Sequence, residues 1–368
     1  MQFPYRPEFE HEEPYGAPQL AVDVRLNTNE NPYPPSALVR EAMERAAGEA
    51  LRDLNRYPDR DFAELRKKIS AYLAQESGVA ASPNQIWAAN GSNEIMAQLL
   101  TAFAGPGRKV MTFVPSYSMY SEYARNTFSQ FVARARGDDF RLDLARAQAD
   151  IERERPAIIL LASPNNPTGT ALDFQELRAI LHIAAQVEPQ GAPGARSLVV
   201  VDEAYAEFRR EGVPSALELL EEYPHLVVTR TMSKAFAAAG LRLGYAVADT
   251  RLIAQLNVVR LPYHLSSLTQ AVACAALDHA ADLQANVAQI RADRDALVDE
   301  LRNRRFEVLQ SDANFICFGR FSDRHREWER VLAQGVLIRE TGPAEFLRVT
   351  VGTTPENRAF LDALGYRC

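Results

Sequence analysis

Residues 226–248, LVVTRTMSKAFAAAGLRLGYAVA, join two apolar runs, LVVTRT and LGYAVA, through a Ser–Lys pair, with Arg242 eight residues after Lys234. Short apolar runs bounded by turn residues read as strands buried on both faces. A lysine amine forms imines readily when burial and neighbouring cations depress its pKa. Ser233 and Arg242 are suited to hold a phosphate beside it, one through a hydroxyl and the other through a guanidinium. Taken alone, a Ser–Lys pair is equally compatible with a solvated lysine in a loop, so the neighbouring segments decide.

Upstream, LVVVDEAY (198–205) carries a buried run into Asp202 and places Tyr205 three residues later. The C-terminal edge of a parallel sheet is where open α/β sheets bind ligands. A carboxylate there can keep a pyridine nitrogen protonated, and a phenol can bond a ring oxygen. The plainer reading of Asp202 is a solvated strand end or a helix cap. Next comes AIILLA (157–162) followed by SPNNPTGT (163–170), dense in turn residues that are free to face a ligand. Its plainer reading is a tight turn before the helical DFQELRAIL. In AANGSNEIMAQLL (88–100), Gly91, Ser92 and Asn93 stand at the start of an apolar-periodic helix, where free amides and the helix dipole attract anions. VPSYSMY (114–120) adds Tyr117, a flat ring able to stack on a cofactor, although single aromatics near strand ends are more often core.

These runs alternate with helical segments, FAELRKKISAYLA (62–74) among them, and KVMTFV (109–114) is a further strand. That alternation predicts an α/β fold with a mostly parallel sheet covered on both faces. Residues 1 to about 35 are Pro-rich and read as an extended arm leading to a helix after the prolines of NENPYPPSALVREAMERA (29–46). An amphipathic helix is expected from about 280 to 303, with Leu283, Val287, Ile290, Leu297 and Leu301 on one stripe. NFICFG, FLRVTV and PENRAFLDAL then read as a small α+β unit. The expected division is residues 1–45 as arm and helix joining the small domain, 46–270 as the large domain and 271–368 as the small one. GAPGAR (191–196) reads as a surface loop.

The 368 residues suffice for two domains, and 47% hydrophobic with 24% charged residues is a globular composition. A formal charge of −7 without a basic run disfavours nucleic acid and acidic lipid as partners. Three separated cysteines, Cys274, Cys317 and Cys368, argue against a disulfide framework and for a reducing compartment, the cytoplasm being the simplest. The N-terminus lacks the pattern of a signal peptide, so the whole chain is expected to be the mature protein, and no run reaches the ~18 apolar residues of a membrane span. The six histidines, His11, His182, His225, His264, His279 and His325, show no metal-ligand spacing, so no metal is expected.

Together and in this order, the segments resemble the fold-type I, class I/II aminotransferases, and among them the histidinol-phosphate aminotransferase family. The likeness runs end to end: EPYGAPQ, LNTNENPYPP, NRYPDRDFAELR, NGSNE, VPSYSMY, SPNNPTGT, VVDEAYAEF, RTMSKAF, GLRLGY, LPYHLSS, SDANFICFG, VLIRE and FLRVTVGT. SPNNPTG, DEAY and SKAF with the downstream arginine carry the aminotransferase likeness. The arm, the RYPD segment and the C-terminal arginines carry the narrower one.

The resemblance implies a large domain with a seven-stranded sheet and pyridoxal 5'-phosphate (PLP) held as a Schiff base on Lys234. It further implies Asp202 at the ring nitrogen, Tyr205 and Asn166 at the ring oxygen, and Tyr117 on the ring face. Ser92, Asn93, Ser233 and Arg242 would surround the cofactor phosphate. Tyr57 would reach the cofactor phosphate of a neighbouring subunit, making a homodimer with shared sites. Arg348 would bind the anionic end of the substrate, with Tyr15, Asn29, Tyr263 and Arg339 as further pocket members. The implied reaction converts L-histidinol phosphate and 2-oxoglutarate to imidazole acetol phosphate and L-glutamate, a step of histidine synthesis. Its rivals are an aromatic amino acid aminotransferase, a PLP-dependent phospho-amino-acid decarboxylase, and a non-catalytic PLP-binding regulator.

Overall fold

The computed structural model describes residues 3–4, 6–14 and 16–365. The arm contributes one short strand, β1 (Val24–Arg25), and Ser36 then caps the helix Ala37–Ala50 by accepting from the Val39 amide. A seven-stranded sheet follows, built from β2 (Ile86–Ala89), β3 (Lys109–Val114), β4 (Gln130–Ala135), β5 (Ile158–Ala162), β6 (Leu198–Asp202), β7 (Leu226–Thr231) and β8 (Gly244–Ala248). Its spatial order is β2-β8-β7-β6-β5-β3-β4. The pairs are parallel except those that β8 makes with β2 and β7. Every residue of β5, β6 and β7 is buried, as expected of parallel strands with helices on both faces.

Register positions the site. Ala162 pairs with Asp202, and Asp202 with Thr229, so three strands end side by side. Because β8 runs antiparallel to both neighbours, its first residue, Gly244, pairs with the last residues of β2 and β7, Ala89 and Thr231. The turns after β2, β3, β5, β6 and β7 and the turn before β8 therefore converge on one edge. Five of those strands were legible as apolar runs. The sheet's two outer strands, IWAA and QFVARA, were not.

The C-terminal part forms a second sheet, β9 (Glu307–Val308), β10 (Phe315–Gly319) and β12 (Phe346–Thr350), in the antiparallel order β12-β10-β9. A two-residue strand between the last two, β11 (Val336–Leu337), pairs in parallel with β1 of the arm. The helix Ala280–Asn303 appears at the expected bounds and buries Leu283, Val287, Ile290, Leu297 and Leu301, together with Arg294. Tyr33 of the arm donates to Asp293 on that helix at 3.0 Å, and Ser36 to Asp282 at 2.9 Å. Residues 191–196 form turns on the surface. No helix among the described residues is long and apolar enough to cross a membrane.

Candidate active site

A cavity of about 340 Å3 opens where the strand ends converge. Twelve of the fifteen residues singled out in the sequence line it: Asn29, Ser92, Asn93, Tyr117, Asn166, Asp202, Tyr205, Ser233, Lys234, Arg242, Arg339 and Arg348. Tyr57 and Tyr263 lie outside it in this chain, stacked on each other at 4.4 Å between ring centroids and 81% and 40% exposed. Tyr15 lies outside the described residues.

Lys234 follows β7 by three residues and is half-buried on the cavity floor, where its Nζ donates to the Thr28 carbonyl at 3.0 Å. Burial, reinforced by Arg348 and Arg242 and opposed by Glu30, lowers its pKa to about 8. The amine is thus partly neutral near physiological pH, as a nucleophilic or proton-transferring lysine requires.

Asp202 is buried at the end of β6. Tyr120 donates to its Oδ2 and Thr229 to its Oδ1, both at 3.3 Å. Burial outweighs these bonds and pushes its pKa up to about 6. Asp202 makes no ion pair among the described residues, so a buried carboxylate faces the cavity with no protein cation to balance it. A protonated ring nitrogen would supply that cation.

The opposite end of the cavity is built for an anion. Ser92 begins the helix Ser92–Phe103, and Gly91 before it has φ +80, a left-handed conformation that only glycine adopts cheaply. A Cβ on Gly91 would lie 2.8 Å from Arg242 Nη2, and one on Gly244 would lie 2.4 Å from the Ser92 amide. Glycine at both positions lets the guanidinium, the helix start and the strand after it crowd together. Arg242 Nη1 donates to Ser233 Oγ at 3.4 Å, and Thr231 Oγ1 to the same oxygen at 3.0 Å. Helix amides, hydroxyls and a guanidinium in one corner form a phosphate cradle.

Between these ends, Tyr205 accepts from Asn29 Nδ2 at 3.0 Å. Asn29 has φ +55 and is fixed by Thr350, which accepts from its amide at 3.0 Å and donates to its Oδ1 at 3.1 Å. Arg348, on β12, is buried and donates to Asn166 Oδ1 at 2.6 Å and to the Asn27 carbonyl at 2.8 Å. Arg339 pairs across an antiparallel bridge with Arg348, and its Nη2 donates to the Gly16 carbonyl of the arm at 3.2 Å. The sequence reading missed Tyr120 and Thr229, whose side chains donate to Asp202. A hydroxyl inside the apolar run LVVTRT was the available signal for Thr229, and a second Tyr in VPSYSMY was the signal for Tyr120.

The cavity therefore fits a flat, phosphorylated ring with a basic nitrogen, held between a phosphate cradle and a buried carboxylate beside an activated lysine. The described residues contain no group of three or more His, Cys, Asp or Glu side chains placed to hold a metal ion. Comparison with known proteins agrees with this chemistry. The chain matches the family model for aminotransferase class I and II over residues 22–364. It is 54% identical to a histidinol-phosphate aminotransferase of Thermobifida fusca, over 98% of this chain and 94% of that one. It is 52% identical to histidinol-phosphate aminotransferase 3 of Burkholderia lata, over 98% and 95%. Among solved structures, histidinol-phosphate aminotransferase from Sinorhizobium meliloti in complex with pyridoxal-5'-phosphate superposes with a TM-score of 0.80 at 24% identity, covering 93% of this chain and 90% of that one. This chain belongs to the class I and II aminotransferase family.

Proposed function

We propose that the chain is a PLP-dependent histidinol-phosphate aminotransferase, converting L-histidinol phosphate and 2-oxoglutarate to imidazole acetol phosphate and L-glutamate in histidine biosynthesis. The observation that carries this reading is the meeting, in one cavity, of Lys234, the unpaired carboxylate of Asp202, the cradle around Arg242 and the buried guanidinium of Arg348. The full-length relatives near 50% identity support the substrate.

Bound PLP supplies a carbonyl that takes up the amino group and a ring that accommodates the electron pair of the substrate C–H bond. In this reading Ser92, Asn93, Ser233 and Arg242 hold its phosphate, and Tyr117 covers its ring. Asp202, kept in place by Tyr120 and Thr229, holds a proton on the ring nitrogen. Tyr205 and Asn166 bond the ring oxygen. Lys234 would anchor the cofactor through Nζ, and its free amine would accept at Nζ the proton released from the donor's α carbon and give it up again as the general acid. Arg348 grips the donor phosphate in one half-reaction and the glutamate carboxylate in the other, with Arg339 beside it.

The same reading makes the active unit a homodimer with Tyr57 serving the partner's site. Tyr57 stacks on Tyr263, and near Tyr263 in the chain Val258 and Leu261 are 77% and 73% exposed, large apolar side chains of the kind a second copy would cover. Residues 46–270 and 271–368 would act as large and small domains, with the arm and its helix joined to the latter. A cytoplasmic location fits a biosynthetic step of this kind. The test is a donor panel: purified holoenzyme is given histidinol phosphate, phenylalanine, tyrosine and glutamate, and keto product is measured. Histidinol phosphate is expected to lead the aromatic amino acids, and their lead over it would remove the substrate from this reading.

A further inference from the structure

Among the described residues six charged side chains line the cavity: Lys234, Arg242, Arg339 and Arg348, and against them Asp202 and Glu30. In the preceding reading five of the six have an assigned partner. Arg242 meets the cofactor phosphate, Asp202 the ring nitrogen, Lys234 the cofactor carbonyl, and Arg348 with Arg339 the anionic end of the donor. Glu30 is left over, a negative charge at the mouth of a cavity otherwise equipped for anions.

Its placement is fixed from several sides. Thr28 Oγ1 donates to Glu30 Oε2 at 3.0 Å, and the carbonyl of the same Thr28 accepts from Lys234 Nζ at 3.0 Å. Asn314 Nδ2 reaches the Glu30 carbonyl at 3.3 Å, and Thr350 holds the amide of the preceding residue at 3.0 Å. The backbone is thus pinned between the cavity floor and the C-terminal sheet, while the residue is exposed to the entrance. Its charge is felt at the Lys234 amine, where it opposes the two arginines.

We propose that Glu30 is a specificity residue whose carboxylate accepts the imidazole N–H of the amino donor and, by its charge, disfavours a second carboxylate at the same place. This rests on the histidinol-phosphate reading of the site. With the donor's phosphate on Arg348, its remaining polar group is an imidazole, an N–H donor that becomes a cation below about pH 6.5. A hydrogen bond from such a group to a carboxylate is about twice as strong as one to a neutral acceptor. Glutamate uses the same cavity but brings a carboxylate where histidinol phosphate brings the ring, so a fixed negative charge at the mouth separates the two substrates.

The experiment compares histidinol phosphate with phenylalaninol phosphate, which keeps the amine and the phosphate and replaces imidazole by phenyl. Wild-type holoenzyme and Glu30→Gln are assayed for kcat/KM, and their dissociation constants for both donors are read from the cofactor absorbance. The preference for histidinol phosphate is expected to fall about 10-fold in Glu30→Gln by both measures, a loss of ~1.4 kcal/mol, while kcat/KM for glutamate rises. Glu30→Asp, which keeps the charge but withdraws it by one methylene, should fall between, and it supplies the comparison if Glu30→Gln does not fold. An unchanged preference overturns the proposal, as does an equal loss on both donors. A wild type that prefers phenylalaninol phosphate would overturn the histidinol-phosphate reading and this inference with it. A wild type that prefers histidinol phosphate, with variants that keep the preference, overturns this inference alone.

Discussion

Arg348 donates to Asn166 Oδ1 at 2.6 Å, tying the C-terminal sheet to the turn that follows β5. The same turn is locked to the C-terminal part a second time, because Asp312 donates its amide to the Gly169 carbonyl at 2.7 Å. Gly169 itself has φ +80, and a Cβ there would lie 2.8 Å from Ser311 Oγ, so a side chain would be strained and would displace Ser311. Asp312 also binds Arg210, beyond β6, through Nε at 2.9 Å and Nη2 at 3.1 Å. The residue assigned to the substrate anion is therefore held on the same framework as the residues assigned to the cofactor ring, and ordering one helps order the other.

Lys234→Ala is expected to abolish steady-state transamination and to remove the borohydride-reducible bond between cofactor and protein. Among the described residues no other lysine lines the cavity. In the cofactor-free wild type, Lys234 should react with acylating reagents with a midpoint near pH 8, where its amine loses its proton. Peptide mapping after reduction checks the site, and a pyridoxyl group found on a different lysine would refute it.

Asp202 predicts a trade of stability for function. Its folded pKa, about 6, is raised above its ordinary value, so the native state holds this proton more tightly than the unfolded chain does. The contribution of the group to stability is then full below the unfolded pKa and is lost as pH rises through 6. In cofactor-free protein at pH 7.5, Asp202→Asn should raise stability by up to roughly 3 kcal/mol, given about 1.4 kcal/mol per pKa unit, while transamination collapses. Denaturant midpoints at pH 4 and 7.5 test this, and the gain should shrink at the lower pH. A variant less stable than wild type at pH 7.5 would contradict it.

What could be read in the sequence follows burial. Strands β5, β6 and β7 are covered on both faces, so their apolar runs are continuous and easily seen. β4 lies at the sheet edge with an exposed-intermediate-buried pattern, and QFVARA carries no such run. β2 is fully buried but only four residues long, too short to separate from its flanks. The cavity-lining residues at strand ends stand out because they are polar or charged types directly beside apolar runs. Tyr120 does not, since its role depends on a contact 82 positions away in the chain, with Asp202. Arg230 shows the same limit. It is a charged residue within LVVTRT, yet it is fully buried, donating to Glu203 from Nε at 3.0 Å and from Nη2 at 2.8 Å. An arginine inside a strand is tolerated there because three acidic side chains from two other segments, Glu76 and the pair Glu203 and Glu207 after β6, lie within 4 Å of it.

The shared-site homodimer can be tested by complementation. Tyr57 is not among the described residues that line its own cavity, and it stacks on Tyr263 at the surface. Mixing inactive Lys234→Ala with a strongly impaired Tyr57→Ala should regenerate one site per heterodimer in which both residues are intact. Activity is then expected to approach one quarter of wild type at equal, fully exchanged subunits, because half the dimers are mixed and each has one good site of two. No recovery after subunit exchange has been verified by mass would rule out sharing through Tyr57.

The last prediction concerns Arg348, whose buried guanidinium is the strongest candidate for the anchor of both substrates. A guanidinium binds a phosphate or a carboxylate through paired hydrogen bonds, so one residue can serve both half-reactions. Removing one partner of a buried charge-assisted contact costs about 2 to 5 kcal/mol, or roughly 30-fold to several thousandfold. Arg348→Ala should therefore cut kcat/KM for histidinol phosphate and for glutamate by at least the lower factor. It should also remove a positive charge that depresses the Lys234 pKa, so the lysine of the cofactor-free variant should titrate above pH 8. The cofactor should stay bound, because its phosphate is assigned to the other end of the cavity around Arg242. If the variant loses activity toward only one of the two donors, the two anionic ends do not share Arg348, and Arg339 becomes the residue to test for the other.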